Sequence, residues 1–218
     1  MATEDLLSYL EHFISIERQE RFKEILSQRT KMITVAIEDV YQMHNTSAVI
    51  RSCESFGVQD AHVIEGRFGK RLDKNIAMGA QKWVDIHRHR STKEAISHLR
   101  HKGYRIVATT PHEGNIGLQD FEVTGPTALF FGTEKEGLSA EVFNAADDFL
   151  TIPMVGFTES LNISVSAAII LQELTTKLRS SDLEWQLDDA DIEMKRLDWT
   201  KKSIKSVADI LKRYEQGL

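Results

Sequence analysis

A chain of 218 residues that is 41% hydrophobic is long enough for one sizeable core, and a second full domain would be cramped. The net charge of −6 argues against a protein that coats nucleic acid indiscriminately, so any RNA contact has to be local. One cysteine, Cys53, excludes an internal disulfide, and no apolar run approaches the ~20 residues that cross a bilayer. The opening MATEDLLSYLEHF is acidic and helix-patterned, unlike a signal peptide, so a reducing cytoplasm is the expected compartment.

In chain order, Leu6, Leu10 and Phe13, then Phe22, Ile25 and Leu26, recur at helical spacing and predict an N-terminal helical arm over 1–31. From Ile33 the pattern changes to short β-rich runs: MITVAIEDV, AHVIEG, VDIHRH, YRIVATT, TALFFG and FLTIPM. Helical stretches alternate with them, about Thr46 to Phe56, Thr92 to Lys102, Ser139 to Ala146 and Asn162 to Arg179. Strand and helix in alternation predict an α/β domain over 32–180, a mostly parallel sheet with helices on both faces. Ser180 to Asp191 is polar and acidic and reads as a connector opening a C-terminal helical extension, 181–218. There Ile204, Val207, Leu211 and Tyr214 mark one apolar stripe, which can dock on its own chain or on a second subunit. Basic residues cluster at both ends, although such runs are ordinarily solvated helix faces.

Ligands of parallel α/β sheets bind where strands end and helices begin, which singles out three loops. In His44-Asn45-Thr46-Ser47-Ala48-Val49-Ile50-Arg51, Asn45 is placed to cap a helix, and Arg51 shares a face with Ser47 and Ser55. Its guanidinium is either a surface ion pair or a fork for a phosphate. Phe131-Gly132-Thr133-Glu134-Lys135-Glu136-Gly137-Leu138-Ser139 has two glycines in phosphate-loop spacing, but Leu138 stands where the gripping lysine belongs, and no G-x-G-x-x-G occurs anywhere. Nucleotide hydrolysis and dinucleotide binding therefore lose their main support, leaving a tight turn with Ser139 as the next helix cap. The third loop runs from Ile152 through Gly156 and Ser160 into a helix starting near Asn162, apolar or small nearly all round and therefore buried in a core or an interface.

Taken together, N-T-S-A-V-I-R, F-G-T-E-K-E-G-L-S and I-P-M-V-G-F-T-E-S-L-N-I-S-V-S-A-A resemble, in order and spacing, the three signature motifs of the SpoU (TrmH-like) branch of the SPOUT methyltransferases. The stretch Met78 to Trp83 looks like the loop before that family's third strand. The resemblance implies a C-terminal trefoil knot, which periodicity does not show and the general rule against threaded chains disfavours. It implies S-adenosyl-L-methionine held by Thr109, Thr110, Phe131, Gly132, Gly137, Ile152, Met154, Leu161 and Asn162, with Ile152, Met154 and Leu161 around the adenine. It implies Arg51 as the key catalytic residue, with Asn45, Glu134, Ser160 and Asn162 orienting the reacting groups, and no metal. RNA contacts are expected from Arg21, Arg29, His44, Arg51, Lys177, Arg179, Lys201 and Lys202, and His112 borders the site. The implied protein is a homodimer that methylates a ribose 2'-hydroxyl of tRNA, at the D-loop guanosine, with no membrane or DNA partner. Alternatives are another RNA or tRNA position, or a non-catalytic RNA-binding module of the same fold.

Overall fold

The computed structural model describes residues 3–39, 43–66, 79–111, 116–133 and 136–216. They fall into two compact units, Thr30–Trp185 and a second made of Met1–Arg29 with Gln186–Leu218.

Among its described residues the larger unit holds a sheet of seven strands in the order β3-β2-β1-β6-β4-β7-β5, and each pairing is parallel. The strands are β1 (Ile33–Glu38), β2 (Asp60–Ile64), β3 (Asp85–His89), β4 (Arg105–Thr109), β5 (Ile116–Gly117), β6 (Thr127–Phe131) and β7 (Asp148–Thr151). Alternation along the strands sets the layers. Ile33, Val35 and Ile37 of β1, with Leu129 and Phe131 of β6, pack in one apolar cluster with Val49, Ile50 and Cys53 of helix α3 (Met43–Phe56) and Leu171 and Leu174 of α6 (Ile163–Arg179). Residues of the opposite parity, Ala36, Ala108, Ala128 and Phe130, pack with Ala95 and Leu99 of α4 (Thr92–His101) and Val142 of α5 (Ala140–Ala145). Each large side chain so buried contributes roughly 1.5–3 kcal/mol. The parallel sheet with helices on both faces is thus as the alternating pattern predicts.

The smaller unit contains α1 (Thr3–Glu11), α2 (Ile16–Leu26), α7 (Asp189–Ser203) and α8 (Val207–Glu215). The arm breaks into two helices because Ser15 takes an extended conformation and its hydroxyl accepts the Arg18 N–H, starting a new helix. Phe22 meets the buried Trp199 edge to face at 5.5 Å, Tyr9 meets Tyr214 at 4.8 Å, and Arg196 donates to Glu11 at 2.6 Å. Tyr214 at the end of the C-terminal stripe thus packs on α1 of its own chain. The predicted connector is shorter than its composition implies. Leu183 and Trp185 pack on the sheet core, and Asp188 caps α7 by accepting the Asp191 N–H.

Candidate active site

The carboxyl ends of β4, β6 and β7 open onto one cleft of about 920 Å³, near the upper end of the roughly 300–1,000 Å³ usual for small-molecule sites. Thr109 and Thr110 line it beyond β4, Phe131, Gly132, Gly137 and Leu138 beyond β6, and Ile152, Met154, Ser160 and Leu161 beyond β7. All of the residues expected at the cofactor except Asn162 thus lie in one cavity wall. Asn162, between the lining residues Leu161 and Ile163, caps α6: its Oδ1 accepts the Ser164 N–H at 2.9 Å.

Gly132 matters for a reason other than ligand approach. A Cβ there would collide with the backbone of Gly137 and Leu138, because Thr133 and Gly137 exchange two backbone hydrogen bonds at 3.0 Å that close the loop on itself. Gly137 completes the closure with φ +68°, in the left-handed region that glycine enters at no steric cost. The glycine pair reads as a phosphate loop by spacing but serves a self-closing turn. Consistent with that, the cleft has Glu136 and Glu159 on its walls and, among the described lining residues, no Lys, Arg or His. Apolar walls from Leu138, Ile152 and Leu161 with two carboxylates suit a ligand that is partly aromatic and carries positive charge, and they disfavour a polyphosphate.

The first motif lies on α3. Because that helix begins at Met43, Asn45 occupies its first turn instead of capping it; buried there, its Oδ1 accepts from Asn162 Nδ2 at 3.2 Å. This bond ties the start of α3 to the start of α6. Arg51 is exposed and does not line the cleft of its own chain; among the described residues it makes no ion pair. Ser47, one turn before Arg51 on the same face of α3, is buried with its hydroxyl unpaired. Glu134 and His112 lie outside the described residues.

The cations expected at RNA divide into two sets. His44 and Arg51 are exposed, Arg21 is exposed and paired with Glu24, Lys202 is exposed and paired with Asp198, and Lys201 is half-buried. The other three are engaged within the fold. Arg29 is buried, its guanidinium 5.4 Å from the centre of the Trp199 ring. Lys177 donates to the carbonyls of Leu118, Gln119 and Phe121 at 3.0, 2.6 and 3.3 Å. Arg179 donates to the Phe56 carbonyl at 2.8 Å and lies over Trp185, and burial lowers its pKa from the ordinary arginine value.

Two features escape sequence reasoning. Glu38, at the end of β1, is buried and holds Thr92 and Ser139. On the same face of the sheet, toward its β3 edge, His62, His87, His89 and His98 stack together, His62 facing His87 across the β2–β3 register. The signal for the latter is I-H-R-H, which puts His87 and His89 on one face of a strand.

Residues 32–172 match the model of the SpoU rRNA Methylase family. The chain belongs to that family. It is 38% identical over 200 residues to a tRNA (guanosine(18)-2'-O)-methyltransferase of Borreliella burgdorferi, covering 92% of each chain. It is also 38% identical over 156 residues to the enzyme of that name from Thermus thermophilus, covering 72% of this chain and 80% of that one. The solved structure of an A. aeolicus TrmH/SpoU tRNA modifying enzyme superposes with a TM-score of 0.76 at 30% identity, over 86% of this chain and 97% of the other. The SpoU methyltransferase AviRb from Streptomyces viridochromogenes, in complex with AdoMet, gives 0.62 at 25% identity over 72% of this chain and 62% of its own. The SpoU match spans all three motif loops, and the second and third of them line the cleft.

Proposed function

We infer that this protein transfers a methyl group from S-adenosylmethionine to the 2'-hydroxyl of a ribose in tRNA, the D-loop guanosine. The observation that carries the reading is the 92% mutual coverage with a tRNA (guanosine(18)-2'-O)-methyltransferase, a match of 200 residues that extends beyond the sheet unit. When bound, the cofactor supplies an electrophilic methyl on a sulfonium, so the chain has to align the acceptor and help it lose a proton. The acidic, apolar-walled cleft fits that cationic group, with Ile152, Met154 and Leu161 against its adenine. A guanidinium carries five N–H donors and no acceptor, which makes Arg51 a poor base. Its fork instead grips the phosphate beside the target ribose and lowers the hydroxyl pKa electrostatically, while Asn45, Ser160, Asn162 and Glu134 orient the groups around it.

The same reading includes a homodimer, a trefoil knot and a cytoplasmic location. Val155 and Phe157 are fully exposed beside the cleft, and Val165 and Ile169 are 45% and 39% exposed on α6, a set of apolar groups that supports burial against a second copy. That Arg51 stands outside the cleft of its own chain supports a site completed at such an interface. Entry of β6 between β1 and β4 supports a threaded C-terminal segment. No described helix is long and apolar enough to cross a membrane. Exposed His44, Arg51, Arg21 and Lys202, with half-buried Lys201, carry the RNA contacts in this reading.

The test is transfer of labelled methyl to unmodified tRNA and rRNA transcripts, with nuclease mapping of the product and Arg51→Lys in parallel. One labelled tRNA ribose is expected, with kcat in the lysine variant down by about 100-fold, on the order of a lost bidentate charged contact. Labelled rRNA overturns the substrate, and a near-normal kcat in Arg51→Lys overturns the phosphate-fork role.

A further inference from the structure

Glu38 is a carboxylate at 4% exposure, and a buried charge costs several kcal/mol unless its lone pairs are occupied. Here they are. Oε2 accepts the Ser139 N–H at 2.7 Å, while Oε1 accepts the Ser139 hydroxyl at 2.6 Å and the Thr92 hydroxyl at 2.5 Å. The Ser139 hydroxyl is used twice, since its oxygen also accepts the Val142 N–H that starts α5. Ser139 is the last residue of the second motif and directly follows Gly137 and Leu138 on the cleft wall. The loop is therefore held at two points: at its neck by the Thr133–Gly137 bonds that Gly132 permits, and at its exit by Glu38.

The position calls for an acceptor-only group. Three donors converge on two oxygens, and an amide in place of the carboxylate turns its own N–H groups toward one of those donors. We propose that Glu38 is a positioning residue for methyl transfer, presetting the cofactor-side wall at Gly137 and Leu138 through Ser139 without touching cofactor or RNA. The proposal rests on the S-adenosylmethionine reading of the cleft.

The experiment is calorimetric titration of S-adenosylmethionine into the full chain as wild type, Glu38→Gln, Ser139→Ala, the double variant and Thr92→Val, with a urea melt and the tRNA KM at saturating cofactor for each. Glu38→Gln and Ser139→Ala are each expected to weaken cofactor binding about tenfold, the size of a lost hydrogen bond to a charged group, with the tRNA KM within about twofold of wild type. The double variant should be no weaker than the poorer single one. Thr92→Val removes a bond to the same carboxylate but none to the loop, so it should lower the melting midpoint and leave cofactor affinity within about twofold. Folded Glu38→Gln that binds like wild type, additive single effects, or Thr92→Val as weak as Glu38→Gln each overturn the proposal. Should Glu38→Gln fail to fold, Ser139→Ala decides, because it removes the hydroxyl bond of that link from the loop side and leaves only the backbone N–H bond to Oε2. Wild type that does not bind the cofactor refutes the underlying reading instead, which keeps the two failures apart.

Discussion

The histidine stack makes folding stability depend on pH in a window set by His62. Its ring is 2% exposed, 4.7 Å from His87 and 5.2 Å from His89, tilted toward His98 at 5.6 Å, with Nδ1 2.9 Å from His89 Nε2. Burial, reinforced by His87 and His89, pushes its pKa from 6.5 down to about 3; Asp60 pulls the other way and His98 adds a smaller downward push. His89 and His98 are lowered as well, first of all by burial. The folded chain thus keeps His62 neutral where the unfolded chain protonates it. Stability is complete above pH 6.5 and is lost as pH falls toward about 3. For His62 alone, going from about pH 7.5 to about pH 5 removes roughly 2 kcal/mol of stability, and the limit below the folded pKa is roughly 5 kcal/mol. Urea unfolding of wild type and His62→Gln at those two pH values measures this. The wild-type loss should exceed the variant's by about 2 kcal/mol with m unchanged, and losses equal within about 0.5 kcal/mol would refute the reasoning.

Two further substitutions probe the cleft loop and the 118–121 turn. Gly132→Ala puts a methyl into the backbone of Gly137 and Leu138, so the loop must open; S-adenosylmethionine affinity should fall by at least about 30-fold while the melting midpoint moves little, since cleft-side loops carry little of the global stability. Lys177→Met removes an ammonium that satisfies three carbonyls of the 118–121 turn and should cost about 2–3 kcal/mol in chemical denaturation, with the salt slope of tRNA binding unchanged; a slope reduced by one contact would return Lys177 to the RNA surface.

The layers of the fold are legible in sequence because a buried parallel strand has only two kinds of neighbour. Ile33, Val35 and Ile37 fall on one parity and Ala36 on the other, and the two apolar clusters follow that division. The cleft loops are legible because glycine, proline and capping residues punctuate them, and because ligands of such sheets gather at strand ends. What is not legible depends on approach in three dimensions. Polarity alone assigns Arg29 and Lys177 to solvent, yet one finds the ring of Trp199 and the other a row of backbone carbonyls, partners far along the chain. Glu38 closes an apolar strand in a way that reads as its polar end; only the convergence of Thr92 and Ser139 gives its carboxylate a role. The tiny β5 and the weakly amphipathic α7 escape periodicity because neither offers enough apolar repeats to count.

The distribution of charge fits a methyl transfer between a cation and a polyanion. A sulfonium is favoured beside carboxylates and an RNA phosphate beside guanidinium, so a single mixed pocket would pair its own Glu and Arg, at several kcal/mol for a close contact at the effective dielectric of a protein surface, and satisfy neither ligand. Here Glu136 and Glu159 stand on the cleft walls and Arg51 stands outside them, about 9 Å further along the α3 axis than Asn45. The junction between the two regions is made by amides: Asn45 and Asn162 join α3 to α6 with a bond that does not titrate and favours neither charge. An overall charge of −6 is compatible with RNA binding on these terms, because the cations have to act only where the acceptor ribose is presented.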